Sequence, residues 1–220
     1  MLNRRSLAKR HGLLLVDTDM LILLLAAHML EPVAVSLGYV PDQLRRLSAA
    51  PHQVRRSRRF RDAYGAAVLH RIAPLVAAIP EADAPTDLQL LDALDPFMDE
   101  GEAQLIALAA SHKCALLVSG DKRAVMGLAE SGVETCIAAL KGKIVSLEAV
   151  LWTLVVARSG VEVRSAFKPV LDHATLRVIL SEHAVADQAR CLDGIRGYYD
   201  DFYKRTKGIL FNPAPDQLGI

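Results

Sequence analysis

Two acidic turns close two short apolar runs, and a third acidic cluster lies between them. The first is Leu13-Leu14-Leu15-Val16 followed by Asp17-Thr18-Asp19, and the second is Ala115-Leu116-Leu117-Val118 followed by Ser119-Gly120-Asp121. The third, Asp99-Glu100-Gly101-Glu102, opens a helix-like stretch just before the second run. Carboxylates are hard oxygen donors, and a converging set of them is how proteins hold Mg²⁺ or Mn²⁺. Each cluster also has a purely structural use. Asp17 or Asp19 can cap a helix starting near Met20, Asp121 can cap one starting at Lys122, and Asp99 and Glu102 have the spacing of a capping box.

Convergence depends on the elements that carry these residues. Short apolar runs bounded by turn residues read as buried parallel strands, and ligands of open α/β sheets sit outside the carboxyl ends of such strands. The pattern predicts strands over 13–16 and 115–118, a short strand over 88–91 and an edge strand over 134–137. Helices are expected over 20–29, 42–47, 61–79, 101–111, 122–130 and 146–158, the last carrying the only tryptophan, Trp152. After Gly160 the strand signal fades, and helices over 172–183 and 187–207 follow. The order implies an α/β protein: a three-layer α/β/α sandwich around a central parallel sheet over 1–158, with a helical C-terminal extension over 159–220.

Hydrophobic residues make up 52% of the 220 positions and aromatics only 5%, so Leu, Ala and Val must fill the core. The net charge of +1 is uninformative, but its distribution is not. Residues 45–61 hold seven arginines and no acid, whereas residues 81–102 hold eight acids and no Lys or Arg. One basic and one acidic zone suit a polyanion held beside a carboxylate pocket, or else two solvated faces of opposite sign. Cys114, Cys136 and Cys191 lack zinc spacing and read as reduced core thiols of a cytoplasmic protein. His28 and His183 read as structural. The basic segment 1–11 followed by apolar 13–30 mimics a signal peptide, but Asp17 and Asp19 interrupt the apolar run, which argues against a membrane span. The tail from Asn212, with two prolines, reads as loose.

The three acidic blocks, taken in order, resemble the PIN-domain ribonuclease family. The opening strand with its Asp17-Thr18-Asp19 turn, the Gly101-Glu102-Ala103 helix and the Ser119-Gly120-Asp121 turn carry the resemblance, which covers roughly residues 10–145. The step of 19 residues from Glu102 to Asp121 also fits. The second block is very like that of one bacterial, toxin-type branch. The resemblance implies Mg²⁺- or Mn²⁺-dependent cleavage of RNA phosphodiester bonds, in which the ion activates water and stabilises the leaving oxygen. It makes Asp17, Glu102 and Asp121 the metal-binding and catalytic residues, with Asp19, Ser119 and Asp99 in support. RNA is the implied partner, with an antitoxin, another protein or a second copy of the chain as further expected partners.

One departure stands out. The family places a second acid shortly after a Val-Pro pair, and here Val40-Pro41 leads to Asp42 and then to Arg45 and Arg46. Asp42 is the candidate substitute, with Glu31 as the weaker one. A guanidinium at that position would compete with a metal ion, which keeps open a degenerate module that binds RNA or protein without cutting. The arginines Arg45, Arg46, Arg55, Arg56, Arg58, Arg59 and Arg61 are the candidate phosphate contacts. Tyr198, Tyr199 and Tyr203 are either base-stacking or core residues. A haloacid-dehalogenase-like phosphatase shares the Asp17-Thr18-Asp19 pattern, but it normally continues Gly-Thr, where Met20-Leu21 stand here.

Overall fold

The computed structural model describes residues 12–85 and 87–213. The basic segment 1–11 and the tail 214–220 lie outside the described residues. Four parallel strands form the sheet: β1 (Leu14–Val16), β2 (Leu44–Arg45), β3 (Leu116–Val118) and β4 (Ile144–Val145), in the order β2-β1-β3-β4. β1 and β3 are buried throughout, which their unbroken apolar runs require. Their register, Leu14 to Leu116 and Val16 to Val118, ends both strands at the same level. The Asp17 and Ser119 turns therefore leave the sheet side by side, and the Asp17 N–H still donates to the Val118 carbonyl at 3.0 Å.

After β1 comes α1 (Thr18–Ala26), capped by Asp17, and then α2 (Leu30–Ser36). The single helix expected over 20–29 thus ends early, and His28 takes a left-handed φ of 56° at the bend. Beyond β2 stand α3 (Ala50–Arg56), α4 (Arg58–Tyr64) and α5 (Ala66–Ala78). The helix expected over 61–79 is broken at Gly65, whose φ of 80° most side chains would resist. Next come α6 (Leu88–Leu94), α7 (Glu100–Ser111), α8 (Lys122–Glu130), α9 (Glu134–Ala139) and α10 (Leu147–Ala157).

Three expected elements are corrected. Residues 42–47 are a 3-10 turn, Pro41–Gln43, leading into β2, because the turn ends after one coil and Leu44 pairs with Leu14. Residues 88–91 are helical, since the Asp87 carboxylate caps the Leu90 N–H at 3.0 Å. Residues 134–137 are also helical, and the fourth strand is the shorter pair Ile144–Val145 just beyond.

The last part of the chain is α11 (Gly160–Phe167), α12 (Ala174–Ile179), α13 (Glu182–Val185) and α14 (Gln188–Arg205). The helix expected over 172–183 is therefore two short helices. The chain then returns to the sheet edge. Leu210 bridges Ile144 in parallel, and the Ile209 carbonyl accepts the Lys143 and Ile144 N–H groups. One apolar core joins Met20, Ile22, Val150 and Val155 to Phe167, Ile195 and Tyr199. Among the described residues no single helix is long and apolar enough to cross a membrane; α1 and α2 together are apolar, but they bend by 109°.

Candidate functional site: an acidic cleft

At the carboxyl ends of β1 and β3 lies a cavity of about 100 Å³ lined by Asp17, Asp19, Asp99, Glu102, Ser119 and Asp121, with Thr18, Gln53, Arg59 and Phe60 on its other wall. Every acid of the three clusters except Glu100 reaches it. Local folding puts them there: Asp17, Asp99 and Asp121 are N-caps, Glu102 closes the capping box of α7, and Asp19 lies in the first turn of α1. The Met20 N–H donates to Asp17 Oδ1 at 2.6 Å, and the Gly120 N–H to Oδ2 at 3.0 Å. Asp99 and Glu102 form the reciprocal capping box of α7, at 2.9 and 3.0 Å. Asp121 Oδ1 accepts the Arg123 and Ala124 N–H groups at 2.8 and 3.1 Å. Ser119 sits between two of these acids: its hydroxyl oxygen accepts the Asp121 N–H at 3.2 Å, and its side chain is bonded to Asp17.

Capping alone lowers a carboxyl pKa, since backbone N–H groups favour the charged form. Asp121 obeys that rule. Burial pushes it upward, but bonds from Ala124, Glu102 and Arg123, with the Arg123 charge, hold it below its ordinary value. Asp17 does not obey it. Burial pushes its carboxyl up to about 6 despite bonds from Ser119, Met20 and Gly120, and Asp19 adds repulsion. Glu102 is pushed up to about 7, first by burial and then by its contact with Asp121. Of the two, Glu102 is the carboxyl driven toward its neutral form and Asp121 the one held charged.

The opposite wall neutralises Asp19. Arg59 reaches it at 2.8 Å and the Tyr64 hydroxyl donates to it at 2.9 Å. Burial and the Asp19 charge push the Tyr64 phenol upward, so it stays protonated and keeps donating. Gln53 accepts the Thr18 hydroxyl at 3.0 Å. Gln53 is the polar side chain that α3 turns into the cleft, and sequence reasoning missed it. The usable signal was Pro51, which starts a helix two residues before it.

Several expected residues stand elsewhere. Asp42 precedes β2 and so lies at the amino end of the sheet, away from the cleft. Arg45 turns back to the Asp42 and Leu44 carbonyls at 2.6 and 2.8 Å. Arg46 is buried, bonding the Val76 and Leu47 carbonyls at 3.0 and 2.9 Å and standing 3.8 Å from Glu81. No guanidinium from β2 enters the carboxylate pocket; Arg59 does instead. Arg58 pairs with Asp62 at 3.8 Å across exposed surface, and Arg55, Arg56 and Arg61 are exposed on the same helices.

Tyr199 is a core residue whose hydroxyl donates to the Phe211 carbonyl and whose ring stacks on Tyr203 at 5.7 Å. Cys136 and Cys191 are buried free thiols as expected, but Cys114 is exposed. His28 and His183 are exposed, and His183 Nε2 meets Arg190 at 3.1 Å. A further buried charge also escaped sequence reading. Glu148, in the first turn of α10, is fully buried and pairs with Lys122 at 2.7 Å, leaving Oε2 without a hydrogen-bond partner among the described residues. The Lys122 ammonium lies over the Phe202 and Tyr198 rings at 5.3 and 5.6 Å, which ties α14 to the turn that holds Asp121.

Among the described residues no three His, Cys, Asp or Glu side chains are gathered closely enough to hold a metal ion as they stand. The donor chemistry fits a hard dication all the same. The acids that line the cleft offer only oxygen, and two of their carboxyls are driven toward neutrality by burial and by acidic neighbours. No protein-family model, curated protein or solved structure matches this chain.

Proposed function

We propose that the acidic cleft is the active site of a divalent-metal-dependent phosphodiesterase of PIN-like architecture, acting on RNA. The observation that carries this reading is the convergence of Asp17, Glu102 and Asp121 at the carboxyl ends of β1 and β3, with two of the three held near or above pH 6. A bound Mg²⁺ or Mn²⁺ would supply the charge that steadies a phosphate and its leaving oxygen. Asp17, Glu102 and Asp121 are the residues that would hold it. Ser119 orients Asp17 and fixes the Asp121 turn. Asp19, tied to Arg59 and Tyr64, anchors the opposite wall and keeps α4 against the cleft.

A second reading, a module that binds RNA or protein without cutting, is favoured by one observation. Gln53, a neutral amide, and Arg59 occupy the wall facing the three acids. Calorimetric titration of Mn²⁺ into the wild-type chain and Asp17→Asn separates the readings, together with cleavage of a labelled RNA. Saturable binding lost in the variant, with metal-dependent cleavage, supports the enzyme; neither in the wild type supports the binding module.

A further inference from the structure

The turn that carries Asp121 is held from two sides. On one, the Gly120 N–H donates to Asp17 at 3.0 Å. On the other, Lys122, the first residue of α8, turns its side chain toward α10, where the Glu148 carboxylate meets the ammonium at 2.7 Å. Glu148 can reach it because β4 pairs Val145 with Val118, so that Ser146 caps α10 beside the Asp121 turn. Two rings of α14, Phe202 and Tyr198, stand against the same ammonium at 5.3 and 5.6 Å. A carboxylate and two aromatic faces are the walls of an ammonium site, and its occupant is the chain's own lysine. Folding stability alone does not call for this arrangement. Glu148 is fully buried, and its Oε2 has no hydrogen-bond partner among the described residues. Taking such a pair out of water costs about as much as its attraction returns, so well-packed apolar side chains would serve the core as well. What the pair adds is direction. It fixes the residue that stands between Asp121, the cap of α8, and Arg123 and Ala124, whose N–H groups hold Asp121 Oδ1 at 2.8 and 3.1 Å.

We propose that Lys122 is a positioning residue for Asp121, and that Glu148, Tyr198 and Phe202 form an ammonium cage through which α14 sets the geometry of the acidic cleft. This rests on the reading of the cleft as a metal site. Asp121 lines the cleft and Lys122 does not, so the cage acts through the backbone of the first turn of α8. The helices beyond Gly160 are then part of the site rather than an appendage, because α14 alone supplies the two rings.

The test follows amide hydrogen exchange at Arg123 and Ala124 by NMR in EDTA, with the Leu117 and Ser119 amides, which bond to the β4 side of the sheet, as the internal reference. Mn²⁺ affinity is read separately by calorimetry. Lys122→Met with Glu148→Gln removes both charges and keeps the packing. In this double variant Arg123 and Ala124 should exchange about 10-fold faster while Leu117 and Ser119 keep their rates, and Mn²⁺ affinity should fall about 10-fold, as for a group one step removed from the ligands. Tyr198→Leu, at an exposed position, should give a smaller change of about 2–5-fold in both. Lys122→Ala deletes the atoms from Cγ to Nζ, the outline of propylammonium. That cation in the buffer should restore slow exchange at Arg123 and Ala124, whereas propanol at the same concentration should not, because only the cation answers the Glu148 carboxylate. No rescue by propylammonium, or equal rescue by propanol, overturns the cage. Should Lys122→Ala not fold, the double variant decides, and wild-type exchange at Arg123 and Ala124 in it overturns the proposal. A wild type that binds no Mn²⁺, with exchange still governed by Lys122, overturns the metal reading alone. Mn²⁺ bound equally by the wild type and the double variant overturns the positioning role alone.

Discussion

Asp17→Asn separates a carboxylate kept for its charge from one kept as a cap. The Asp17 carboxyl titrates at about 6 in the folded chain against 3.8 as its ordinary value. At about 1.4 kcal/mol per pH unit, that gap makes the ionised side chain about 3 kcal/mol unfavourable at pH 7. A folded-state pKa that is raised gives stability that is full below the unfolded value and is lost as pH rises through the folded one. For Asp17 the loss therefore runs from roughly pH 4 to pH 6. Asn removes the charge but also one acceptor. Its single oxygen can keep the Met20 N–H, while its amide then faces the Gly120 N–H, now 3.0 Å from Oδ2. Leaving that donor unpaired costs about 1–2 kcal/mol. The charge term wins at pH 7, so Asp17→Asn should be more stable than the wild type by about 1–2 kcal/mol, or about 2–8 °C in Tm for a chain of this size. Below pH 4 the wild type is protonated in both states, the charge term vanishes, and the same variant should be less stable by about 1–2 kcal/mol. Urea denaturation in EDTA at pH 4 and pH 7 reads both values. Saturating Mn²⁺ should then raise the wild-type midpoint and leave the variant where it was, since a ligand stabilises only what binds it. A variant less stable than the wild type by the same amount at both pH values refutes the reasoning and makes Asp17 a plain helix cap.

Three other substitutions test separate parts of the site. Glu102→Gln keeps the capping box, because Gln serves at that position, and removes a half-buried carboxyl that burial and Asp121 push upward, so the variant should be no less stable than the wild type at pH 7 while Mn²⁺ affinity falls about 100-fold; calorimetry and thermal melts read the two. Lys122→Met strands the buried Glu148 carboxylate, now 2.7 Å from the ammonium, and should cost about 3 kcal/mol or more, whereas Lys122→Met with Glu148→Gln should recover most of it, as a double-mutant cycle in urea will show. Arg46→Leu frees the Val76 and Leu47 carbonyls it now bonds and should cost about 2 kcal/mol in folding, with oligouridylate affinity unchanged within about twofold because the side chain points away from the cleft.

The two central strands were legible because a short apolar run closed at once by an acidic turn suits a buried parallel strand. The flanking elements were less so. Leu88-Gln89-Leu90-Leu91 is apolar enough for a strand, and only the Asp87 cap tips it to helix. β4 is two residues long and sits beside the more strand-like 134–137, so composition pointed to the wrong neighbour. The site was legible where the side chains are acids at strand or helix ends. Gln53 escaped because an amide carries no charge signal, and Arg46 misled because a buried arginine bonded to carbonyls looks, in sequence, like one free to meet phosphate. Glu148 left a readable trace as the one acid in the apolar stretch from Leu147 to Ala157.

Helix capping and metal ligation ask for the same residue at the same place, so finding Asp17, Asp99, Glu102 and Asp121 at helix starts cannot by itself separate the two uses. Their electrostatics bear on the choice. A carboxylate that accepts backbone N–H groups is drawn below its ordinary pKa, and at Asp121 those bonds win over burial. Asp17 accepts two such donors and a serine, yet it ends about two pH units above its ordinary value, and Glu102 ends near 7 although its own cap bond pulls it down. Serine, threonine or asparagine at position 17 and glutamine at position 102 would serve the same caps without that cost. The chain thus carries, beside the base of α8, more negative charge than capping uses and enough to oppose its own folding at neutral pH. Natural proteins keep such costs where function requires them. A bound dication would return the energy by restoring both carboxylates to their charged forms, which is why the Mn²⁺-dependent melting shift weighs more heavily than any single activity assay: it reads directly whether that stored repulsion has a partner.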